Sequence, residues 1–319
     1  MTPLTTPPVV VGVDGSESAL SAVRWAARTA MLRHAPLHAV HAMSSGWDLG
    51  DHLGVFTLHN RAFREAGEAA LAAAREVAHA ETAPHSLTVR TSLVSPSPVA
   101  ALRRHARHAQ LLVVGARGLG AFERTLLGSV SGALARSPRC PLAVVPGPQA
   151  PESRQLPVLV GMDGSPASER AVEFALCEAS GRRVGLVAIS LSDPQPDTRA
   201  TALTARAHRP AADSLARYRK DFPDVDVTRL VAHDDLARRL VQESAGAQLV
   251  VLGSGLTRSP RRAVTRSVLR DAMVPVIIVG QHAPHEHTVS RRPGDTTAGL
   301  SAGQPRWPTS ETGKRGQVM

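Results

Sequence analysis

Aromatic residues are scarce in this chain: of 319 residues, one is tyrosine, three are tryptophan and five are phenylalanine. That scarcity excludes the aromatic platform on which single-stranded nucleic acids stack. The two cysteines, Cys140 and Cys177, make neither a disulfide framework nor a metal pattern, so a reducing cytoplasm is the expected setting. No apolar run approaches the roughly 20 residues of a membrane helix. The opening Met-Thr-Pro-Leu-Thr-Thr-Pro-Pro has neither the basic nor the apolar region of a secretory signal. Lysine is nearly absent too, occurring only at Lys220 and Lys314, so arginine carries the formal charge of +10. The arginines scatter over apolar-periodic stretches, at Arg24, Arg28, Arg33, Arg75, Arg103, Arg104 and Arg107. In an alanine-rich chain this fits a coding bias and a solvated cationic face better than a basic stripe for nucleic acid. Neither a Gly-x-Ser-x-Gly elbow nor a His-Glu-x-x-His helix occurs, and no Lys-Ser/Thr pair follows a glycine-rich loop.

What the chain does have is itself, twice. Val9-Val-Val-Gly-Val-Asp-Gly-Ser16 returns 149 residues later as Val158-Leu-Val-Gly-Met-Asp-Gly-Ser165. The same offset carries Ala22, Val23, Trp25 and Ala26 onto Ala171, Val172, Phe174 and Ala175, one apolar stripe at helical spacing. Further on the offset falls to 138, where Leu111-Leu-Val-Val-Gly115 matches Leu249-Val-Val-Leu-Gly253. The second copy has therefore lost 11 residues in its middle, after its second strand. In each copy five short apolar runs alternate with helical patterns. The fold class is α/β: two tandem, doubly wound, open parallel five-stranded sheets with helices on both faces. Right-handed crossovers place the first and fourth strands side by side at a switch point, where such sheets bind ligands. The expected domains are residues 1–147 and 156–280, joined by a proline-rich linker. Residues 281–319 lack apolar periodicity and form an expected disordered tail.

At the end of the fourth run of the first copy comes Gly115-Ala-Arg-Gly118, then nine residues, then Gly128-Ser129 at a helix start. Glycines there let backbone approach a ligand, and orphan N–H groups at a helix start attract anions. This spacing resembles the ATP-binding signature of the universal stress protein family. Val9–Ser16 resembles the family's opening strand and acidic turn, and Arg139-Cys-Pro-Leu-Ala-Val-Val-Pro146 its closing strand. The three motifs stand in the family's order and cover most of residues 9–146.

The resemblance implies ATP or a related adenine nucleotide at the switch point, with Mg2+ as a further option. Gly12 and Asp14 match the first-strand site, where Asp14 would meet ribose hydroxyls or help hold a metal; Asp14 also reads as a plain turn former before Gly15. Val40 matches the position whose backbone meets adenine, and also reads as a core valine. Gly115, Arg117 and Gly118 would wrap the phosphates. Gly128, Ser129, Val130 and Ser131 would offer N–H groups and hydroxyls, and Ser129 also reads as an ordinary N-cap. The second copy keeps Gly161, Asp163, Gly253 and Ser267, but Leu256 and Arg266 replace the other two glycines, so its site is degenerate. The implied function is a nucleotide-responsive regulator of a stress response, not an enzyme. Slow ATP hydrolysis or autophosphorylation is one alternative, and a nucleotide-independent interaction module is the other. The resemblance also implies that closing strands pair edge to edge, giving an internal pseudo-dimer, with a homodimer or an unknown protein as further partners. His282, His285 and His287 have a metal-like composition but sit in the tail, and His38 and His41 read as core or rim histidines.

Overall fold

The computed structural model describes residues 6–43, 55–95, 97–118, 127–191, 215, 218, 220–232, 235–254 and 262–280. The tail beyond residue 280, with its histidines, and Leu256 lie outside them. The first copy runs β1 (Val9–Gly12), α1 (Glu17–Leu32), β2 (Leu37–Ala42), α2 (Val55–Thr82), β3 (Val89–Val94), α3 (Pro98–Ala106), β4 (Leu111–Gly115), α4 (Ser129–Ala135) and β5 (Leu142–Val145). A short 3-10 turn, Pro151–Gln155, interrupts the linker. The second copy runs β6 (Val158–Met162), α5 (Pro166–Arg182), β7 (Leu186–Leu191), β8 (Val227–Ala232), α6 (Leu236–Ser244), β9 (Leu249–Gly253), α7 (Arg262–Asp271) and β10 (Val276–Val279). Among the described residues no helix is long and apolar enough to cross a membrane.

Each copy is wound as its alternation dictates, with β1 parallel to both β2 and β4 and β6 parallel to both β7 and β9. The central strands bury both faces and so read as unbroken apolar runs. The two five-stranded units do not stand apart. β5 and β10 pair antiparallel, Ala143 opposite Ile277, and join everything into one sheet of order β3-β2-β1-β4-β5-β10-β9-β6-β7-β8. Each face then carries one core that runs through both copies. Val23, Trp25 and Ala26 of α1 and Val172, Phe174 and Ala175 of α5 belong to the same cluster. α3, α4, α6 and α7 cover the other.

A local pseudo-two-fold relates the copies across β5 and β10. Arg33, just past α1, lies over the Phe174 ring at 5.1 Å, and Arg182 of α5 lies over the Trp25 ring at 5.4 Å. Arg33 donates to Gln110 at 3.1 Å, and Arg182 donates to Gln248 at 3.3 Å. Those glutamines in turn donate to the carbonyls of Pro7 and Leu156. The symmetry breaks at one pair of equivalent positions. Thr29 stands in the first copy where the second has Glu178. Arg182 donates to Thr29 Oγ1 at 3.3 Å, while both arginines pair with Glu178. Burial alone would push the Glu178 carboxyl up, but Arg33 and Arg182 overcome it and hold it down at about 2.

Burial also keeps the two thiols protonated and unreactive: it pushes Cys140 and Cys177 up to about 12, with Glu173 and Glu178 adding to the effect at Cys177.

Two outcomes follow for Glu178, which is 6% exposed. Glu178→Ala strands two arginines whose side chains are 11% exposed, and urea titration should show a loss of about 3–5 kcal/mol. Because the folded carboxyl titrates at about 2 against 4.5 in the unfolded chain, its contribution is complete above pH 4.5 and is lost as pH falls toward 2. Unfolding free energies measured across that window should drop by about 3 kcal/mol more in the wild type than in Glu178→Gln; parallel curves would refute the pairing.

Candidate functional site

The end of β1 and the end of β4 lie side by side, and the two polar motifs meet there. After Gly12 and Val13 the chain turns at Asp14-Gly15-Ser16. Asp14 Oδ1 accepts the Ser16 backbone N–H at 3.0 Å and the Ser16 hydroxyl at 2.6 Å. Gly15 takes φ +88°, which a side chain would strain. Ser16 then caps α1, its Oγ accepting Ala19 N–H at 3.1 Å. The second copy repeats this turn: Asp163 Oδ1 accepts from Ser165 N–H and Oγ at 3.0 and 2.6 Å, with Gly164 at φ +72°. The recurrence of Asp-Gly-Ser is therefore accounted for by turn geometry, and it does not by itself mark a ligand site.

The glycines divide into two groups when each is asked what a Cβ would meet. At Gly12 it would lie 3.0 Å from Leu102 Cδ1, and at Gly161 2.9 Å from Leu240 Cδ1, the equivalent leucine. At Gly115 it would lie 2.9 Å from the Ser18 carbonyl oxygen, and at Gly253 2.5 Å from that of Ala167. These four let α3 and α1 of the first copy, and α6 and α5 of the second, press onto the strands, and the fold needs them in both copies. Gly118 and Gly128 differ. Among the described residues, a Cβ on Gly118 would meet Asp14, colliding with its Oδ2. One on Gly128 would sit 3.1 Å from the Ala116 carbonyl oxygen. Gly118 thus lies over Asp14 and brings the loop onto the turn, and these two are the glycines that the second copy replaces.

The start of α4 corrects two expectations. Gly128, not Ser129, is the N-cap, in extended conformation at φ −60°, ψ 154°, and Ser129 is the first helical residue. Ser131 is buried, and its hydroxyl donates within the loop, 2.9 Å from the Ala116 carbonyl and 3.0 Å from that of Gly128. It fastens the loop and is not presented to a ligand. Gly128 N–H also donates to the Ala116 carbonyl at 2.8 Å. The backbone N–H groups of Ser129, Val130 and Ser131 are the orphan donors of a helix start. Val40 is buried in the core, and its carbonyl accepts Val13 N–H at 2.9 Å, so the plain core reading accounts for it.

The second copy does not reproduce this arrangement. α7 begins at Arg262, five residues before Ser267, whereas α4 begins at Ser129, the residue equivalent to Ser267. Arg266 favours the helix where glycine resists it, so the helix runs through, and Ser267 N–H falls inside the i→i−4 ladder. Gly161, Asp163 and Gly253 come together as they do in the first copy, without that donor set.

Two further residues join the first site: Ser18, which the sequence did not single out, and His41, which it read as a core or rim histidine. Ser18 Oγ accepts Arg117 N–H at 3.4 Å and ties the loop after β4 to α1. His41, half-buried at the end of β2, packs against Gly67 of α2 and lies near Asp14. Burial pushes its pKa down, and the Val13 backbone and Asp14 partly offset that. Its strand position was visible, but nothing local says that it lies near Asp14. Among the described residues no cluster of His, Cys, Asp or Glu suits a metal ion.

The family model described as "Universal stress protein family" matches residues 6–146 and again 156–280. Universal stress protein Rv2005c of Mycobacterium tuberculosis is 39% identical over 288 residues, covering 86% of this chain and 97% of that protein. Among solved structures, a universal stress protein from Archaeoglobus fulgidus DSM 4304 covers 86% of this chain and 98% of its own at TM-score 0.65 and 16% identity, a likeness of fold. A universal stress protein solved in complex with cAMP matches 44% of this chain and 96% of its own at 32% identity and TM-score 0.35. Matched in both copies by the family model and along most of its length by a close relative, the chain belongs to the universal stress protein family.

Proposed function

We propose that the protein is a nucleotide-responsive regulator that holds ATP, or a related adenine nucleotide, at the switch point of its first copy. Residues 1–147 carry the ligand in this reading, and 156–280 serve as the pairing partner. The observation that carries it is the division among the glycines. Those that the packing needs are kept in both copies, whereas Gly118 and Gly128 are kept only where a loop closes over Asp14. Their own close contacts belong to that loop, and a ligand held there gives a reason to keep the loop in one copy and not in the other.

In this reading Gly115, Arg117 and Gly118 line the phosphate side, and the backbone donors of Ser129, Val130 and Ser131 meet phosphate oxygens beyond Gly128. Gly12, Asp14 and Val40 border the nucleoside side. Asp14 Oδ1 is held by Ser16, which fixes the carboxylate under the loop that carries Gly118. A Mg2+ ion, if it accompanies the phosphates, would lie on the Asp14 side. Bound nucleotide stabilises this arrangement of the loop by mass action and biases whatever contact reads it.

Mass spectrometry of the natively purified protein should find one adenine nucleotide per chain. Gly128→Arg and Gly118→Leu, which install the second copy's residues, should each weaken ATP binding at least tenfold, about 1.4 kcal/mol, with circular dichroism unchanged. Competition among ATP, AMP and cAMP then ranks the ligand. A protein that binds none of them, or that binds ATP equally well as the Gly128→Arg variant, ends the proposal.

A further inference from the structure

At the opposite ends of the strands, away from the switch point, lies a cavity of about 910 Å³. Its walls are the segments that lead into β1, β2, β3 and β4, together with the close of α1 and of α3. That volume is in the range of small-molecule sites. Five basic side chains line it, those of His34, His38, Arg90, Arg107 and His108, and among the described residues no acidic one does. Met31, Leu87, Pro36 and Ala109 supply apolar wall.

The basic residues converge from different elements. His38 and Arg90 are register partners on β2 and β3. His38 is fixed by Ser92, whose Oγ lies 2.8 Å from Nε2, and by His105, whose ring meets it edge-on at 5.0 Å. Burial, then His105 and Arg90, push the His38 pKa down, so the charge of the cleft rests on its arginines. Arg107 and His108 follow the end of α3, and His34 takes φ +48° in the turn that closes α1.

Two ordinary explanations compete. Arginine is abundant throughout the chain, and cations suit helix C-termini. The second copy is a control for both, because it has the same fold and the same bias. There, Val187 and Thr228 are the register pair equivalent to His38 and Arg90, and Ala245 and Gly246 follow α6 where Arg107 and His108 follow α3. Neither the strands nor the helix end requires these cations, and His38 and Arg90 lie on strands.

We propose that this cleft is a second binding site, for a small organic anion, in which Arg90 and Arg107 engage a phosphate or carboxylate group and the apolar wall takes its body. Guanidinium forks suit both head groups. The site is independent of the proposed nucleotide site and at the other end of the sheet.

The test uses the full chain and two probes that share one body, phenyl phosphate and benzoate, followed by calorimetry and ligand-observed NMR up to about 10 mM. The wild type should bind at least one probe saturably, and the preferred probe identifies the head group. Arg90→Thr/Arg107→Ala, which installs the second copy's residues at two exposed positions, should weaken binding at least tenfold and keep the melting temperature. Gly128→Arg should bind as the wild type does, and so should Arg238→Ala, a control for general charge. No saturable binding of either probe overturns the proposal, as does unchanged affinity in the double variant. Equal weakening by Arg238→Ala reduces it to non-specific charge, and loss in Gly128→Arg moves the binding to the other site; either result overturns it.

Discussion

The antiparallel pairing of β5 with β10 is the constraint on which the rest depends. Each is a four-residue apolar strand, Leu142–Val145 and Val276–Val279, buried on both faces. Alone, each would end its sheet in an open row of N–H and C=O groups beside uncovered apolar side chains. Paired, they turn two five-stranded units into one sheet and merge the cores on either side. The pairing also sets α1 and α5 near one another across a pseudo-two-fold, the isologous geometry of a symmetric dimer held within one chain.

One chain is free to break that symmetry. Equivalent arginines reach across to equivalent aromatic rings, yet a single carboxylate, Glu178, serves both, because its counterpart is Thr29. A symmetric dimer of identical chains would carry either two buried carboxylates or none. A tandem chain settles on one, which satisfies both guanidiniums in a place where an unpaired charge is costly.

The same freedom shows in how the two copies differ. The turn at Asp14 and the turn at Asp163 are alike in their hydrogen bonds, because the first helix of each copy has to be started and capped. The copies part where the fold is indifferent. The first keeps Gly118 over Asp14 and begins α4 late, at Ser129. The second has Arg266 in the place equivalent to Gly128 and lets α7 run through it. At the other end of the strands the first copy has His38, Arg90, Arg107 and His108 where the second has Val187, Thr228, Ala245 and Gly246. Both polar places on the first copy fall at strand ends, the one part of a doubly covered parallel sheet where side chains vary without disturbing a core.

The sequence by itself determined the repeat, the alternation of strands and helices, the order within each copy and the switch point, because apolar periodicity and duplication are local and survive in one dimension. Strand limits such as Leu37–Ala42 and Val158–Met162 were legible for that reason. The candidate site was legible as a spacing of glycines but not as a division of labour among them. Whether a glycine serves a ligand or a neighbouring helix depends on what its missing Cβ would touch, and Leu102 and Ser18 are far from Gly12 and Gly115 in the chain. Likewise the position of Ser129 after the cap, the inward hydroxyl of Ser131 and the helical setting of Ser267 follow from where a helix starts, which packing decides. The pairing of the closing strands was implied by the family resemblance and not by the residues themselves; only the tertiary structure placed Glu178 between two arginines and opened a basic cleft among four strand ends, since each needs residues separated by tens of positions to meet.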